Sequence, residues 1–240
     1  LEPCNHSGRT PPCTKAIREA GIARVVSGMD DPNPQVTGGG NVYLRSCGIE
    51  ATTGVLEDEC RAINRPFIKH SSTGLPWVTM KAGMSLDARI SCQPGRGGRI
   101  TGEESLLRTH RLRNTHDAIL VGIGTALIDD PSLTCRLPGD EECRDPLRIV
   151  IDTRLQLPAT ARILAQESGA GTWIFCAPDA PARQESELIQ AGASVHRSGV
   201  NEGNRLDLQE ILAHLGKSGR TSVLVEGGSA IHGEFLRRRL

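Results

Sequence analysis

Short unbroken apolar runs alternate along this chain with longer stretches in which apolar residues recur every third or fourth position, the two patterns expected of buried strands and amphipathic helices. In the first third, Thr14–Ala20 reads as a helix with Ala16, Ile17 and Ala20 on one face and Gly21 as its stop, and Ala23–Met29 as a strand. The run DDPNP is a turn. Val42–Cys47 follows as a short helix, Ile49–Thr53 as a strand, and Glu57–Asn64 as a helix with Cys60 and Ile63 inward. Arg65 to Pro76, with Ser71, Ser72, Thr73, Gly74 and Pro76, has the composition of a connector. Beyond it the pattern predicts strands at Trp77–Ala82, Ala118–Val121, Leu147–Asp152, Thr172–Cys176, Ala193–His196 and Ser222–Val225. Helices are expected at Glu103–Leu112, Ala182–Gln190, Leu206–Leu215 and from Ser229 onward, still running at Leu240. Leu155–Gly171 and Arg197–Asn204 read as surface connections. Such alternation predicts an α/β fold whose doubly wound core places ligands at the carboxyl ends of strands.

Composition narrows the class. With 240 residues, 38% hydrophobic and 23% charged, the chain is globular and long enough for one large or two modest domains. Its 28 Lys and Arg balance 28 Asp and Glu, which argues against a general nucleic-acid binder, and an aromatic share of 2% argues against base-stacking platforms. No apolar run approaches the roughly 20 residues of a membrane span, so a soluble protein is expected. Cysteines stand at 4, 13, 47, 60, 92, 135, 143 and 176. Without a secretory apolar segment, and with Cys60 and Cys176 placed as buried thiols, they suit a reducing compartment better than a disulfide framework. A start at Leu1 and an end within Arg237, Arg238, Arg239, Leu240 read as a fragment cut at both ends.

Candidate chemistry gathers around DAILVGIGTALIDDPSLTCR, Asp117 to Arg136. The strand delivers a glycine loop in which Gly122 and Gly124 leave the backbone bare, Thr125 follows, and Pro131 ends any helix. Backbone N–H groups at such a turn suit phosphate oxygens, although a tight strand-to-helix turn with no ligand fits the same pattern. Asp129, Asp130 and Arg136 lie just beyond. Lys81 on an apolar strand is either partnered or reaches solvent from an edge. Arg96 and Arg99 sit in a glycine-rich loop, a flexible solvated segment or a phosphate contact. Glu103 and Glu104 favour the first turn of their helix, and Arg113 at its far end is either a cap or a ligand contact. Glu226, Gly227 and Gly228 combine a strand-end carboxylate with an anion cradle, or with glycines that let helix pack on strand. Two thiols, Cys4 and Cys13, do not close a tetrahedral zinc site, and His6 between them reads as a solvated loop residue. His196 and His214 read as structural.

These segments also resemble a known family. E-P-C, G-R-T-P-P-C and D-P-N-P-Q-V resemble the zinc-binding half of the cytidine-deaminase-like domain of the bifunctional riboflavin-biosynthesis deaminase-reductases. K-A-G-M-S-L-D-A-R-I, T-G-E-E, D-A-I-L-V-G-I-G-T-A-L-I-D-D-P, P-L-R-I-V-I-D-T and L-V-E-G-G resemble the reductase domain, whose fold is similar to dihydrofolate reductase. The resemblance implies a partial deaminase-like domain over 1–72 and a reductase domain over 75–240 that lacks its C-terminal strands. It implies NADPH-dependent reduction of the ribosyl group of 5-amino-6-(5-phosphoribosylamino)uracil to ribityl. In the intact parent it implies zinc-dependent deamination of the pyrimidine precursor. Cys4 and Cys13 match the two thiolate zinc ligands, but the upstream His-Ala-Glu motif is absent, so this chain is not expected to deaminate.

The same resemblance assigns catalytic roles to Lys81 and Glu226, bracketing the sugar. It assigns cofactor contacts to Gly83, Arg99, Thr125, Asp129, Thr153 and Gly228, and substrate contacts to Gly97, Arg113, Leu133, Arg136 and Glu226. Asp87 would order its loop. Ala88 replaces a usual Gly, which would strain a positive φ there, and Gly97 and Arg99 replace a usual Ser and aromatic. Those departures leave open a non-catalytic, degenerate nucleotide-binding module. The implied partner is a small phosphoribosylated pyrimidine, with no nucleic acid or membrane, a homo-oligomer when intact, and a cytoplasmic location, or a plastid in a plant or alga.

Overall fold

A computed structural model describes residues 1–8, 10–33, 39–91, 93 and 95–240. The D-P-N-P-Q-V motif from Pro34 onward and Cys92 lie outside the described residues. The chain divides into two compact units, Leu1–Trp77 and Val78–Leu240.

In the first unit, helix α1 (Cys13–Glu19), strand β1 (Arg24–Val26), α2 (Gly40–Ser46), β2 (Glu50–Thr52), α3 (Glu57–Ile63) and α4 (Arg65–Thr73) follow in order. β1 and β2 pair in parallel, Arg24 opposite Glu50 and Val26 opposite Thr52. Leu44, Ile49 and Ala51 form a small core with Ile17, Val25 and Tyr43. Two expectations fail here. Ile63 is 80% exposed and Cys60 only partly buried rather than inward, because α3 is a short helix with no fully buried residue and so presents no core face. The supposed connector is largely helix α4, with Pro66 in its first turn and Gly74 as a left-handed cap at φ 72°. Ser72 and Thr73 sit in it because their hydroxyls donate back to the carbonyls of Ile68 and Lys69.

The second architecture is a six-stranded sheet. Its strands are β3 (Trp77–Met80), β4 (Ala118–Gly122), β5 (Leu147–Ile151), β6 (Thr172–Cys176), β7 (Ala193–Arg197) and β8 (Ser222–Val225), in the order β3-β8-β4-β5-β6-β7. β8, β4, β5, β6 and β7 run parallel, with Leu120 opposite both Ile149 and Val225. Helices α5 (Glu103–Thr115), α6 (Ile123–Asp129), α7 (Ala182–Gln190), α8 (Leu208–Lys217) and α9 (Ser229–Arg238) connect and cover them. β4 is a continuous apolar run because it is buried on both faces, and Ala118 to Val121 have no exposure. Ile119, Val121, Val150, Ile174 and Leu224 fill the core beside it.

The segment from Leu155 to Gly171 is not a surface connection. Leu155, Leu157, Ala161 and Ile163 enter the same core. Asp152, fully buried at the end of β5, makes that possible, since its Oδ2 accepts the Leu157 N–H at 2.8 Å. Burial holds its carboxyl above the usual range, against the backbone donors of residues 154–157. The helix expected to run on at Leu240 ends at Arg238. Arg239 takes a left-handed φ of 54°, and Leu240 N–H turns back to the Phe235 carbonyl at 3.1 Å. His196 and His214 pack with Trp173 and Phe175, ring centroids 4.6 Å for Trp173–His196 and 4.8 Å for His196–His214. Among the described residues no helix is long and apolar enough to cross a membrane.

Ala88 adopts φ 61°, so the strain expected of a residue with a Cβ is present, in a turn closed by Ala88 N–H to Ser85 C=O at 2.9 Å. Ala88→Gly should therefore raise the urea-unfolding free energy by roughly 0.5–1 kcal/mol, the relief exceeding the extra entropy of an unfolded glycine.

Candidate active site

Three adjacent strand ends converge. β3 runs into Lys81, β8 into Glu226, and β4 into Gly122, and their continuations line two cavities that share Ile90, Gly98, Thr125, Asp129 and Gly228. The smaller, of about 250 Å³, is bounded by Lys81, Gly83, Arg99, Thr101, Glu226 and Gly227. The larger, of about 510 Å³, is bounded by Arg96, Gly97, Gly124, Ile128 and the first turn of α9, Ser229 to Ile231. Lys81 N–H donates to the Val225 carbonyl at 2.9 Å and Glu226 N–H to the Leu120 carbonyl at 3.0 Å, so main-chain bonds fix both residues at the carboxyl ends of their strands.

The glycines have separate duties. A Cβ on Gly122 would stand 2.7 Å from Ile231 Cγ1 and one on Gly227 would stand 2.8 Å from Ile231 Cβ, so both let α9 close onto the sheet. Gly124 faces open space in the larger cavity. It is not in a loop, as expected, but in the first turn of α6, because Gly122 already has the extended geometry of a helix N-cap and Ile123 begins the helix. On Gly97 a side chain would overlap the Asp129 carboxylate. Burial raises the Asp129 carboxyl above its ordinary range.

The dominant electrostatic feature is a buried ion pair. Arg113 Nε donates to Glu226 Oε1 at 2.8 Å and Nη2 to Oε2 at 2.9 Å, with side-chain exposures of 11% and 9%. Nη1 donates to the Thr134 carbonyl at 3.0 Å. Arg113 thus lies inside the last turn of α5 and ties Glu226 down in fork-on-fork geometry, which is neither a helix cap nor a guanidinium held free. Both Glu226 oxygens act as acceptors.

Among the expected site residues, Lys81, Gly83, Gly97, Arg99, Thr125, Asp129, Glu226 and Gly228 line these cavities. Arg99 pairs with Glu103 on the exposed first turn of α5. Leu133 does not present a side chain to them: it is 3% exposed in the core, on a backbone at φ 53°. Thr153 is outside both linings, its carbonyl accepting Ala177 N–H at 3.0 Å beyond β5. Arg136 is exposed and donates to its neighbour Thr134 Oγ1 at 2.7 Å.

One residue escaped sequence reasoning. His110 stands one turn before Arg113 on α5, 4% exposed, and its Nδ1 accepts the Arg136 N–H at 3.1 Å. Burial, then the charges of Arg113 and Arg136, push its pKa down. The only sequence signal was the i, i+3 spacing, which places both side chains on one helix face.

In the first unit, Cys13 N–H donates to Cys4 Sγ at 3.3 Å, and the neighbouring Cys4 raises the Cys13 thiol. Among the described residues no third His, Cys, Asp or Glu joins them in a metal-holding group. The two thiols supply half of a tetrahedral set, and the residues present do not by themselves fit a zinc ion.

A parallel-sheet α/β protein with a glycine-walled cavity at its strand ends is thus the class that fold and site define. Within it, the chain belongs to the RibD family: residues 76–240 match the family model described as RibD C-terminal domain. The riboflavin biosynthesis protein RibD of Bacillus amyloliquefaciens is 41% identical over 237 residues, 99% of this chain and 62% of that protein. Acinetobacter baumannii RibD superposes with a TM-score of 0.85 at 34% identity, covering 100% of this chain and 64% of that one. A Thermotoga maritima structure described as a diaminohydroxyphosphoribosylaminopyrimidine deaminase/5-amino-6-(5-phosphoribosylamino)uracil reductase superposes with a TM-score of 0.82 at 36% identity, covering 99% of this chain and 63% of that one. The chain therefore spans somewhat under two thirds of these relatives. The expected α/β reductase-type fold is borne out.

Two outcomes follow from the ion pair and its neighbour. Arg113→Met should strand the Glu226 carboxylate and lower stability by about 3 kcal/mol in urea unfolding. His110 binds a proton less readily folded than unfolded, so its contribution is complete above about pH 6.5 and is lost as the pH falls below that value. The urea midpoint should accordingly drop between about pH 7 and pH 5, by less in His110→Asn than in the wild type.

Proposed function

We propose that this chain carries a reductase of riboflavin biosynthesis, reducing the ribosyl group of 5-amino-6-(5-phosphoribosylamino)uracil to ribityl with NADPH. The observation that carries the reading is the convergence of Lys81 and Glu226 on one small cavity that opens beside a larger, glycine-walled one. The name of the Thermotoga maritima relative supplies the substrate class.

The larger cavity fits a dinucleotide by its donor set: the first-turn amides of α9 at Ser229, Ala230 and Ile231, the Thr125 hydroxyl, and the guanidinium of Arg96. NADPH bound there supplies the hydride. The chain's own residues position rather than react covalently. The Lys81 ammonium, at the edge of β3, donates to a sugar hydroxyl and offsets the negative charge that develops as the sugar opens. Glu226 accepts from the sugar. Since Arg113 already occupies both carboxylate oxygens, Glu226 acts as a fixed acceptor and not as a proton donor. Arg113 is accordingly a positioning residue, though Nη1 and Nη2 each retain one N–H for an incoming substrate oxygen. Arg136, exposed and outside both cavity linings, is the cation this proposal assigns to the ribose phosphate, by its place two residues beyond Thr134, whose carbonyl holds Arg113. Asp129 and Gly228 border both cavities, and Arg99 and Gly83 the smaller one. Zinc-dependent deamination belongs in this proposal to the intact parent, with Cys4 and Cys13 giving two of the ligands.

The test is NADPH oxidation followed by absorbance. Oxidation should occur only with the phosphoribosylaminouracil present, and Lys81→Met should reduce turnover by at least about 100-fold while NADPH affinity stays within about twofold. Unchanged turnover in Lys81→Met removes the lysine from the mechanism. NADPH binding with no oxidation in the wild type favours a degenerate nucleotide-binding module, and places the fault with Gly97 and Arg99.

A further inference from the structure

Two cysteines mark the limbs of the excursion between Pro131 and strand β5. Cys135 is buried and Cys143 exposed, and their sulfurs stand 3.1 Å apart. Several bonds hold them face to face. Cys135 N–H donates to Asp145 Oδ1 at 2.7 Å, and the next amide, of Arg136, donates to His110 Nδ1 at 3.1 Å. On the other limb Asn114 brackets Cys143, donating from Nδ2 to the Glu142 carbonyl at 3.1 Å and accepting the Arg144 N–H at 2.7 Å. Leu137 N–H donates to Cys143 Sγ at 3.2 Å. His110 and Asn114 are i, i+4 neighbours on α5, so one helix face registers both limbs.

The pair is also accessible. Cys135 and Cys143 line an open cavity of about 730 Å³ with Arg144, Arg220, Asp145 and Gly171. This cavity lies where β5 and β6 begin, at the edge of the sheet opposite the candidate active site. Its size admits a small disulfide, and its two guanidinium groups are balanced by the Asp117 and Asp145 carboxylates, Arg144 being paired with Asp117 at 2.6 Å.

We infer that Cys135 and Cys143 form a reversible intramolecular disulfide by exchange with a low-molecular-weight disulfide. In the first step the Cys143 thiolate attacks one sulfur of the small disulfide, forming a mixed disulfide and releasing one small thiolate. In the second, Cys135 gives up its proton to solvent and attacks Cys143 Sγ, releasing the other. Two protein thiols are oxidised and one small disulfide is reduced to two thiols. Order follows from burial: desolvation and the adjacent Cys143 push the Cys135 thiol up to about 12, so the exposed sulfur reacts first and the buried one resolves. The bridge closes a short loop containing Arg136 and restrains Thr134, whose carbonyl holds Arg113.

The experiment exposes the 240-residue chain to oxidised glutathione at about pH 8, where thiolates are populated, then alkylates free thiols and maps the tryptic peptides. A peptide pair joined through Cys135 and Cys143 is expected, with a thermal midpoint about 5 °C above that of the reduced chain. Cys135→Ser should stop at glutathione bound to Cys143, and Cys143→Ser should give neither the joined pair nor the shift. Finding Cys135 alkylated in the oxidised wild type, whether Cys143 is free or carries glutathione, overturns the inference. Any Cys4–Cys13 linkage appears in a separate peptide. Because the mapping needs no turnover, it stands or falls independently of the reductase proposal.

Discussion

The ion pair between Arg113 and Glu226 joins residues 113 positions apart, and much of the second unit is arranged so that it forms. A carboxylate at a strand end would be well solvated if left alone. Here it is nearly buried, and an unpaired charge in that position would cost several kcal/mol. The pair therefore requires α5 to lie in one position, its last turn beside the end of β8. Once it does, the third guanidinium nitrogen reaches Thr134 and fixes the chain leaving α6. Helix, strand and loop are set by one side chain.

A partly buried carboxylate secures the opposite ends of the same strands. Asp117 Oδ2 accepts the Thr221 N–H at 2.8 Å and the Thr221 hydroxyl at 2.7 Å, while Oδ1 accepts Arg144 Nη2 at 2.6 Å. These bonds hold the Asp117 carboxyl below its ordinary range despite partial burial. β4 and β8 are thus clamped at both ends, by Asp117 where they begin and by Glu226 where they finish. A sheet fixed in this way presents Lys81, Gly122 and Glu226 as a rigid rim, and positioning catalysis depends on such rigidity.

The sequence was most legible where a single physical signal decided the structure. Thr172–Cys176, Ala182–Gln190 and Ser222–Val225 appear with the bounds expected of them, because an apolar run or a helical period is there bounded by clear turn residues. Reading failed where composition and tertiary context disagree. The Ser and Thr residues before Gly74 look like a linker, yet their hydroxyls satisfy helix carbonyls. Leu155 to Gly171 has no periodicity, and only the buried Asp152 carboxylate shows why irregular backbone can enter a core. Within the site, the residue types were legible from motifs and their mutual contacts were not. Nothing local says that Arg113 seeks Glu226, that Leu133 turns inward, or that His110 receives a backbone amide from Arg136.

The position of β4 also bears on how the molecule is made. Its partners are β5, close behind it in the chain, and β8, whose Val223 lies opposite Ala118. During synthesis one edge of the most apolar strand must therefore wait, unpaired, until the ribosome has delivered residues near 225. Folding of this unit is consequently late and dominated by distant contacts, a slow class of topology. Until then the exposed β4 edge is a target for chaperones and for mispairing with another nascent chain.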